Sequence, residues 1–305
     1  MSVVVVGSSN MDLISYVPHL PLPGETIEGS SFKSGFGGKG ANQAVMASLL
    51  GGDVAFIGKV GDDLYGQQMK DNFKNHSINI SHLSQASNST SGLAPIFVSS
   101  SGENCIVIIP GANNLITIEE IRNAQNLIQK AQVVLFQLEI PLEVSMEALK
   151  IAKEGQALTI FNTAPAKKVL PDELYSLVDI LCANQTELQT ITGETVTSVN
   201  EAIQASKKLI QKGVKRVLIT LGSEGSMLIE GESQIVIPAA KPPNPVIDTA
   251  GAGDCYLGSF AYFLAKTGDY KSAMEKASHI SAISVTRHGT QTSYPKRSEL
   301  PNNFF

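Results

Sequence analysis

Short apolar runs alternate along the chain with longer stretches of helical spacing. Val3–Val6, Val54–Gly58, Val133–Gln137, Leu158–Phe161, Ile180–Ala183 and Val217–Leu221 are nearly continuous in apolar residues. Such runs do not show the period of two that marks a half-exposed strand. They fit strands buried on both faces of a parallel sheet. Gly40–Leu50, Tyr65–Asn75, Ile118–Lys130, Leu142–Glu154 and Val199–Lys212 lie between the runs and have helical spacing. Two further helices, about Gly253–Lys266 and Lys271–Val285, are expected near the C-terminal end. Strand alternating with helix predicts an α/β fold: a mostly parallel, Rossmann-like central sheet with helices on both faces.

Two segments break this rhythm. Asp12–Ser34 contains Pro18, Pro21 and Pro23, with alternation around Thr26–Phe32. Leu93–Ile109 holds two strand-like runs, Ala94–Ser99 and Cys105–Ile109, around the turn Ser100–Glu103. These segments predict a small antiparallel sheet outside the main one. Ser84–Ser91 is polar and short, and reads as a loop. No internal repeat is evident.

The 305 residues suffice for one large α/β domain or two small ones, and 43% hydrophobic with 17% charged residues is a globular composition. The net charge is −5 and no basic block occurs, so nucleic acid is not an expected partner. The apolar start, Val3–Val6, is brief and no basic residue precedes it, unlike a secretory signal. No run has the length of a membrane helix, so no membrane partner is expected. Cys105, Cys182 and Cys255 are odd in number and far apart, which favours free thiols over disulfides or a metal cluster. A reducing, cytoplasmic setting follows as the expectation.

The candidate chemistry centres on Asp248-Thr-Ala-Gly-Ala-Gly-Asp254, followed by the apolar run Cys255–Leu264. Gly251, Ala252 and Gly253 are small residues where a Pro-rich approach turns into a helix. The unpaired N–H groups and the helix dipole there favour an anion. A carboxylate beside an anion hole, Asp254, suits a base for a hydroxyl that attacks a phosphate; it also suits simple helix capping. Gly35-Phe-Gly-Gly-Lys-Gly-Ala-Asn42 leads into the next helix. It fits the dinucleotide fingerprint G-x-G-x-x-G, but a polar stretch, Ser31–Ser34, precedes it where that fingerprint requires a strand. The P-loop spacing also fails, with Lys33 and Gly40 at its defining positions. Asn10, Asp12 and Asn42 supply the mixed donors and acceptors that a polyol needs, or the turn chemistry common to these residues. Gly37 and Gly38 permit close backbone approach, and Lys39 places a cation at a helix entrance. Asn184-Gln-Thr-Glu187 follows a strand run and reads as a helix cap or a ligand contact. Thr220-Leu-Gly222-Ser-Glu-Gly225 follows another strand and reads as a turn into Met227–Ile229 or a nucleotide contact.

Gly37–Asn42 and Asp248–Asp254 resemble the two signatures of the PfkB carbohydrate kinase family, and the resemblance runs from Val3 to about Pro295. Gly7-Ser-Ser-Asn10-Met-Asp12 and Gly289-Thr-Gln-Thr-Ser293 resemble its ribose-specific branch. The resemblance implies one kinase domain over 1–305 that transfers phosphate from ATP to the 5-hydroxyl of ribose. Fructose, deoxyribose or adenosine are the alternative acceptors, and a catalytically silent sugar-binding protein is an alternative of another class. It implies Asp254 as base, with Gly251, Ala252, Gly253 and Lys39 around the transferred group. Asn10, Asp12, Gly37, Gly38, Lys39, Asn42, Glu139 and Asp254 would contact the sugar. Asn184, Glu187, Thr220, Gly222, Gly225, Gly253 and His279 would contact the nucleotide, with Glu187 reaching magnesium through water. The resemblance further implies a potassium site of Asp248, Ala250, Ser284, Arg287, Gly289 and Ser293. It also implies a β-lid over 13–34 and 93–109 that joins two subunits, and a cytoplasmic location, with the nucleus as a second location in a eukaryote. Asn162-Thr-Ala-Pro165 departs from the Asn-Pro-Ala-Pro of many relatives, and Ala250 stands where many carry Thr or Ile.

Overall fold

The computed structural model describes residues 2–167 and 169–305. The strands among these are β1 Ser2–Val6, β2 Asn10–Val17, β3 Ser31–Gly37, β4 Asp53–Gly61, β5 Asn79–Ala86, β6 Gly92–Ser99, β7 Asn104–Ile106, β8 Val133–Phe136, β9 Leu158–Asn162, β10 Ile180–Asn184, β11 Arg216–Thr220, β12 Ser226–Glu230 and β13 Ser233–Ile237. The helices are α1 Lys39–Leu49, α2 Leu64–Asn75, α3 Ile118–Asn123, α4 Gln125–Gln129, α5 Leu142–Glu154, α6 Asp172–Leu177, α7 Gln185–Thr192, α8 Val199–Gln211, α9 Ala252–Thr267 and α10 Tyr270–Ser284.

The main sheet runs β13-β12-β11-β10-β9-β8-β1-β4-β5, parallel except for the antiparallel hairpin β12–β13 and its pairing to β11. Strand β1 shows why its run is wholly apolar. Val4 and Val6 face one core with α3 to α8, while Val3 and Val5 face a second core with α1, α9 and α10. All four are fully buried, so neither face of the strand tolerates a polar residue. The chain leaves β1 for β4 on one side and later returns through β8 on the other. The gap beyond the C-terminal ends of β1 and β8 is therefore a topological switch point, the usual place for a ligand in an open α/β sheet.

A second sheet has the order β3-β2-β6-β7. Its outer pairings are antiparallel, as the sequence suggests, but the central pair β2–β6 is parallel over the whole length of both strands. Segments from distant parts of the chain meet there, so no hairpin sets their direction. The sheet is rooted deeper than 13–34 and 93–109: β2 begins at Asn10 and β6 at Gly92.

Several expected boundaries shift. The alternation around Thr26–Phe32 gives strand only from Ser31, because the prolines before it hold a loop. The helix expected over Ile118–Lys130 is two short helices broken at Ala124. Of the expected run Cys105–Ile109 only Cys105 and Ile106 are strand, in β7, although Ile109 bridges back to Leu93. Ser84–Ala86 belongs to β5, an edge strand whose polar outward positions hid it.

Candidate active site

The segments singled out from the sequence converge at the switch point. The Gly7–Ser9 link after β1, the β3–α1 turn, the Gln137–Glu139 segment after β8 and the start of α9 meet through side-chain hydrogen bonds. The glycines of the β3–α1 turn are required by close packing. Gly38 has φ +86°, and a Cβ there would sit 2.7 Å from the Asn10 backbone nitrogen. The Asp12 carboxylate lies over Gly37 so closely that any side chain there would displace it.

Asp254 is buried in the first turn of α9. Its Oδ2 accepts from Asn42 Nδ2 at 3.0 Å and its Oδ1 from Gln43 Nε2 at 2.9 Å. Gly251, at φ +72°, turns the chain into the helix, and its carbonyl accepts from the Tyr294 hydroxyl at 2.9 Å. The Ala252 N–H bonds Thr249 O and the Cys255 N–H bonds Gly251 O. The N–H groups of Gly253 and Asp254 have no backbone partner among the described residues. A Cβ on Gly253 would meet open space, so this end of the helix is accessible. The arrangement is an anion-binding helix terminus with a carboxylate beside it.

Around this carboxylate the charges are mixed. Glu139 Oε2 accepts from Ser8 Oγ at 2.6 Å and from the Lys39 N–H at 2.9 Å. The negative charges of Asp254, Glu139 and Glu187 hold the Lys39 ammonium above its ordinary range, against the effect of its own burial. Asp12 is pushed up to about 7 by burial, reinforced by Glu139 and Asp254. Its folded pKa lies above the carboxylate value of an unfolded chain, so the folded state holds the extra proton between those values. Asp12 therefore costs stability increasingly as pH rises from about 4 to 7. Asp12→Asn is expected to raise the melting temperature at pH 8 and leave it unchanged near pH 4. An equal shift at both pH values would contradict a charge origin.

Asn10 and Asn42 face this centre but are already engaged. Asn10 Oδ1 accepts from Asn113 Nδ2 at 2.8 Å, and Asn42 Oδ1 accepts from Gln291 Nε2 at 3.0 Å. Each amide is thereby fixed in one orientation. Gln43, Gln137, Asn113 and Tyr294 complete the site and carried no local signal in the sequence; Gln291, which joins them, lay in the Gly289–Ser293 segment without a role of its own.

On the neighbouring strand ends, Asn184 and Thr220 lie side by side in the β10–β11 register. Asn184 and Glu187 form a full capping box: Asn184 Oδ1 accepts from the Glu187 N–H at 2.8 Å, and Asn184 Nδ2 donates to Glu187 Oε1 at 2.9 Å. Capping thus accounts for both residues. Glu187 still reaches the centre electrostatically: burial raises its carboxyl, against the Asn184 N–H and Lys39. Gly222 and Gly225 shape a tight turn after β11. His279 is exposed on α10, its ring edge-on to Phe304 at 5.9 Å, with no polar contact to these loops among the described residues.

Asp248 ties two loops together. Its Oδ1 accepts from the Ala250 N–H and its Oδ2 from the Gly289 N–H, both at 2.9 Å. Ser293 Oγ donates to Thr290 O at 2.7 Å, and the Arg287 N–H donates to Ser284 O at 3.0 Å. The Arg287 side chain instead pairs with Glu299. The Asp248 and Ser293 oxygens and the local carbonyls retain free lone pairs, a hard-oxygen set suited to a monovalent cation.

A helix start with open N–H groups, an adjacent carboxylate and a set of amides and acids beside the second sheet have the chemistry that a sugar kinase uses. The chain matches the pfkB family carbohydrate kinase model over residues 1–297, and it belongs to that family. It is 40% identical to the ribokinase of Dictyostelium discoideum, covering 98% of this chain and 99% of that one. It is 37% identical to the deoxyribokinase of Salmonella typhi, covering 97% and 96%. The structure of Arabidopsis thaliana ribokinase complexed with ribose and ATP superposes with TM-score 0.91 at 30% identity, covering 97% and 96%.

Proposed function

We propose that this protein phosphorylates D-ribose at the 5-hydroxyl, taking the γ-phosphoryl group of ATP. The observation that carries the reading is Asp254, held at both oxygens beside the open N–H groups of α9. The 5-hydroxyl bonds Asp254, which orients it and takes its proton as the oxygen attacks phosphorus. The N–H groups of Gly251 and Gly253, with Lys39, hold the phosphoryl oxygens as charge shifts toward ADP, while Ala252, its N–H bonded to Thr249 O, shapes the turn between them. Such transfers depend chiefly on positioning and electrostatics. Asn10, Asp12, Gly37, Gly38, Asn42 and Glu139 bind the remaining hydroxyls. Asn184, Thr220, Gly222 and Gly225 line the nucleotide side, and His279 lies farther out.

ATP brings magnesium, which neutralises phosphate charge. Glu187, with both oxygens engaged by Asn184, fits a hold on the ion through water. The Asp248 loop, with carbonyls of Ala250, Ser284, Arg287 and Gly289 and with Ser293, fits potassium. Ordering that loop stiffens the start of α9. Potassium is expected to raise turnover and nucleotide affinity, and sodium to do so weakly. Equal rates in potassium and a bulky organic cation would remove this site.

The lid sheet closes over the sugar and keeps water from the phosphoryl group. Phe32, Ile106, Val107 and Ile108 are exposed apolar residues in or beside its outer strands. A second copy of the lid covers them in a homodimer. Light scattering at micromolar concentration is expected to give a dimer, and a monomer would refute the clasp. No helix among the described residues is long and apolar enough to cross a membrane. A cytoplasmic location is supported by the free thiols, Cys182 and Cys255 being buried.

The alternative is 2-deoxyribose as acceptor, favoured by the likeness to a deoxyribokinase. Turnover against ribose, deoxyribose, fructose and adenosine separates the readings. A clear preference for ribose is expected; a preference for any of the others would overturn the assignment.

A further inference from the structure

Two chains of carboxamides end on Asp254, one on each oxygen. In the first, Asn72 Nδ2 donates to Gln291 Oε1 at 2.9 Å, Gln291 to Asn42 and Asn42 to Asp254. In the second, Gln137 Nε2 donates to Gln43 Oε1 at 2.7 Å and Gln43 donates to Asp254. We propose that Gln43 and Gln137 are positioning residues that fix the proposed base through this second chain. The inference rests on the reading of Asp254 as the base.

The order of donors in the chain is forced from the carboxylate outward. Ionised Asp254 only accepts, so Gln43 must turn its NH2 toward it. Gln43 Oε1 then faces Gln137, which must answer with its own NH2. Gln137 Oε1 is left facing Gly7. That oxygen is buried and has no partner among the described residues. A fold selected for stability alone gains nothing from a buried orphan acceptor. The orphan is the consequence of a chain that terminates on a functional carboxylate.

Gly7 completes the arrangement. Any side chain there would overlap Gln137 Oε1 and approach Gly40 Cα to 3.0 Å. The glycine of the Gly7–Asp12 segment thus leaves room for the Gln137 amide. Both glutamines are essentially inaccessible to water. Their effect on chemistry passes through the direction of the Asp254 oxygens, which must stay within hydrogen-bond reach of the reacting hydroxyl.

The test uses Gln43→Met and Gln137→Met, which remove the amides and keep side-chain length. Each is expected to lower kcat with ribose about tenfold or more, leaving the KM for ATP within about twofold. The double variant should be no slower than Gln43→Met, because Gln137 acts only through Gln43. A Gln137→Met enzyme with unchanged kcat, or losses that multiply in the double variant, would overturn the proposal. Should the variants not fold, NMR of the intact protein decides instead. Slow solvent exchange of both side-chain amides is expected, and rapid averaging would contradict the relay. An inactive Asp254→Asn with a fully active Gln137→Met would sink the relay alone, whereas an active Asp254→Asn would sink the base reading itself.

Discussion

Asp254→Asn will still bind ribose and ATP, while kcat falls about 10²–10⁴-fold, the usual worth of a general base. The substitution keeps size and removes the proton acceptor. The structure adds a second cause for the loss. Both oxygens of Asp254 accept from amide NH2 groups, and an asparagine offers only one acceptor to those two donors. One donor, Asn42 or Gln43, is then left facing another NH2. Pre-steady-state and steady-state assays with ribose check the rate, and calorimetry checks that both ligands still bind. A variant that phosphorylates ribose at near wild-type rate would remove Asp254 from the chemistry.

Asn42→Leu is expected to weaken ribose binding by about 1–3 kcal/mol, the cost of a lost buried partner, with ATP affinity little changed. Its effect also reaches turnover. Asn42 connects Gln291 to Asp254, so leucine leaves Gln291 Nε2 without its acceptor and frees one oxygen of the base. Both the ribose affinity and kcat should fall together. Calorimetry showing unchanged ribose affinity would take Asn42 out of the sugar site, even if kcat falls through Asp254.

How much of this was legible in the chain depends on how local each constraint is. The parallel sheet was legible because both faces of its inner strands are buried. Val3–Val6 and Val54–Gly58 could then be continuous apolar runs. The turns at Gly38 and Gly251 were legible because their positive φ favours glycine. Strand β5 was hidden, since an edge strand with polar outward positions has no run to show. The β2–β6 direction was hidden too, because it is set by tertiary packing and not by a turn.

The site divides the same way. Asp254, Lys39 and Asp12 sit in short motifs whose chemistry and spacing are visible together. Gln43, Gln137, Gln291 and Asn113 act at sequence separations that no window contains, and a glutamine in a helix or after a strand carries no mark of what its amide meets. Glu139 was reached only through family resemblance, and the structure gives its physical context in Ser8 and the Lys39 N–H. For Asn184 the cap and the ligand reading are not exclusive. The capping box orders the loop from which a phosphate contact would be made.

The central claim is that Asp254 delivers the 5-hydroxyl of ribose to the γ-phosphoryl group of ATP. Phosphorus and carbon NMR of the product formed from D-ribose, ATP, magnesium and potassium tests it most directly. The account predicts stoichiometric ADP and a single sugar phosphate whose phosphorus couples to the C5 methylene, with no product from Asp254→Asn on the same timescale. Phosphate on any other oxygen, or ADP released with inorganic phosphate and unmodified ribose, would contradict it.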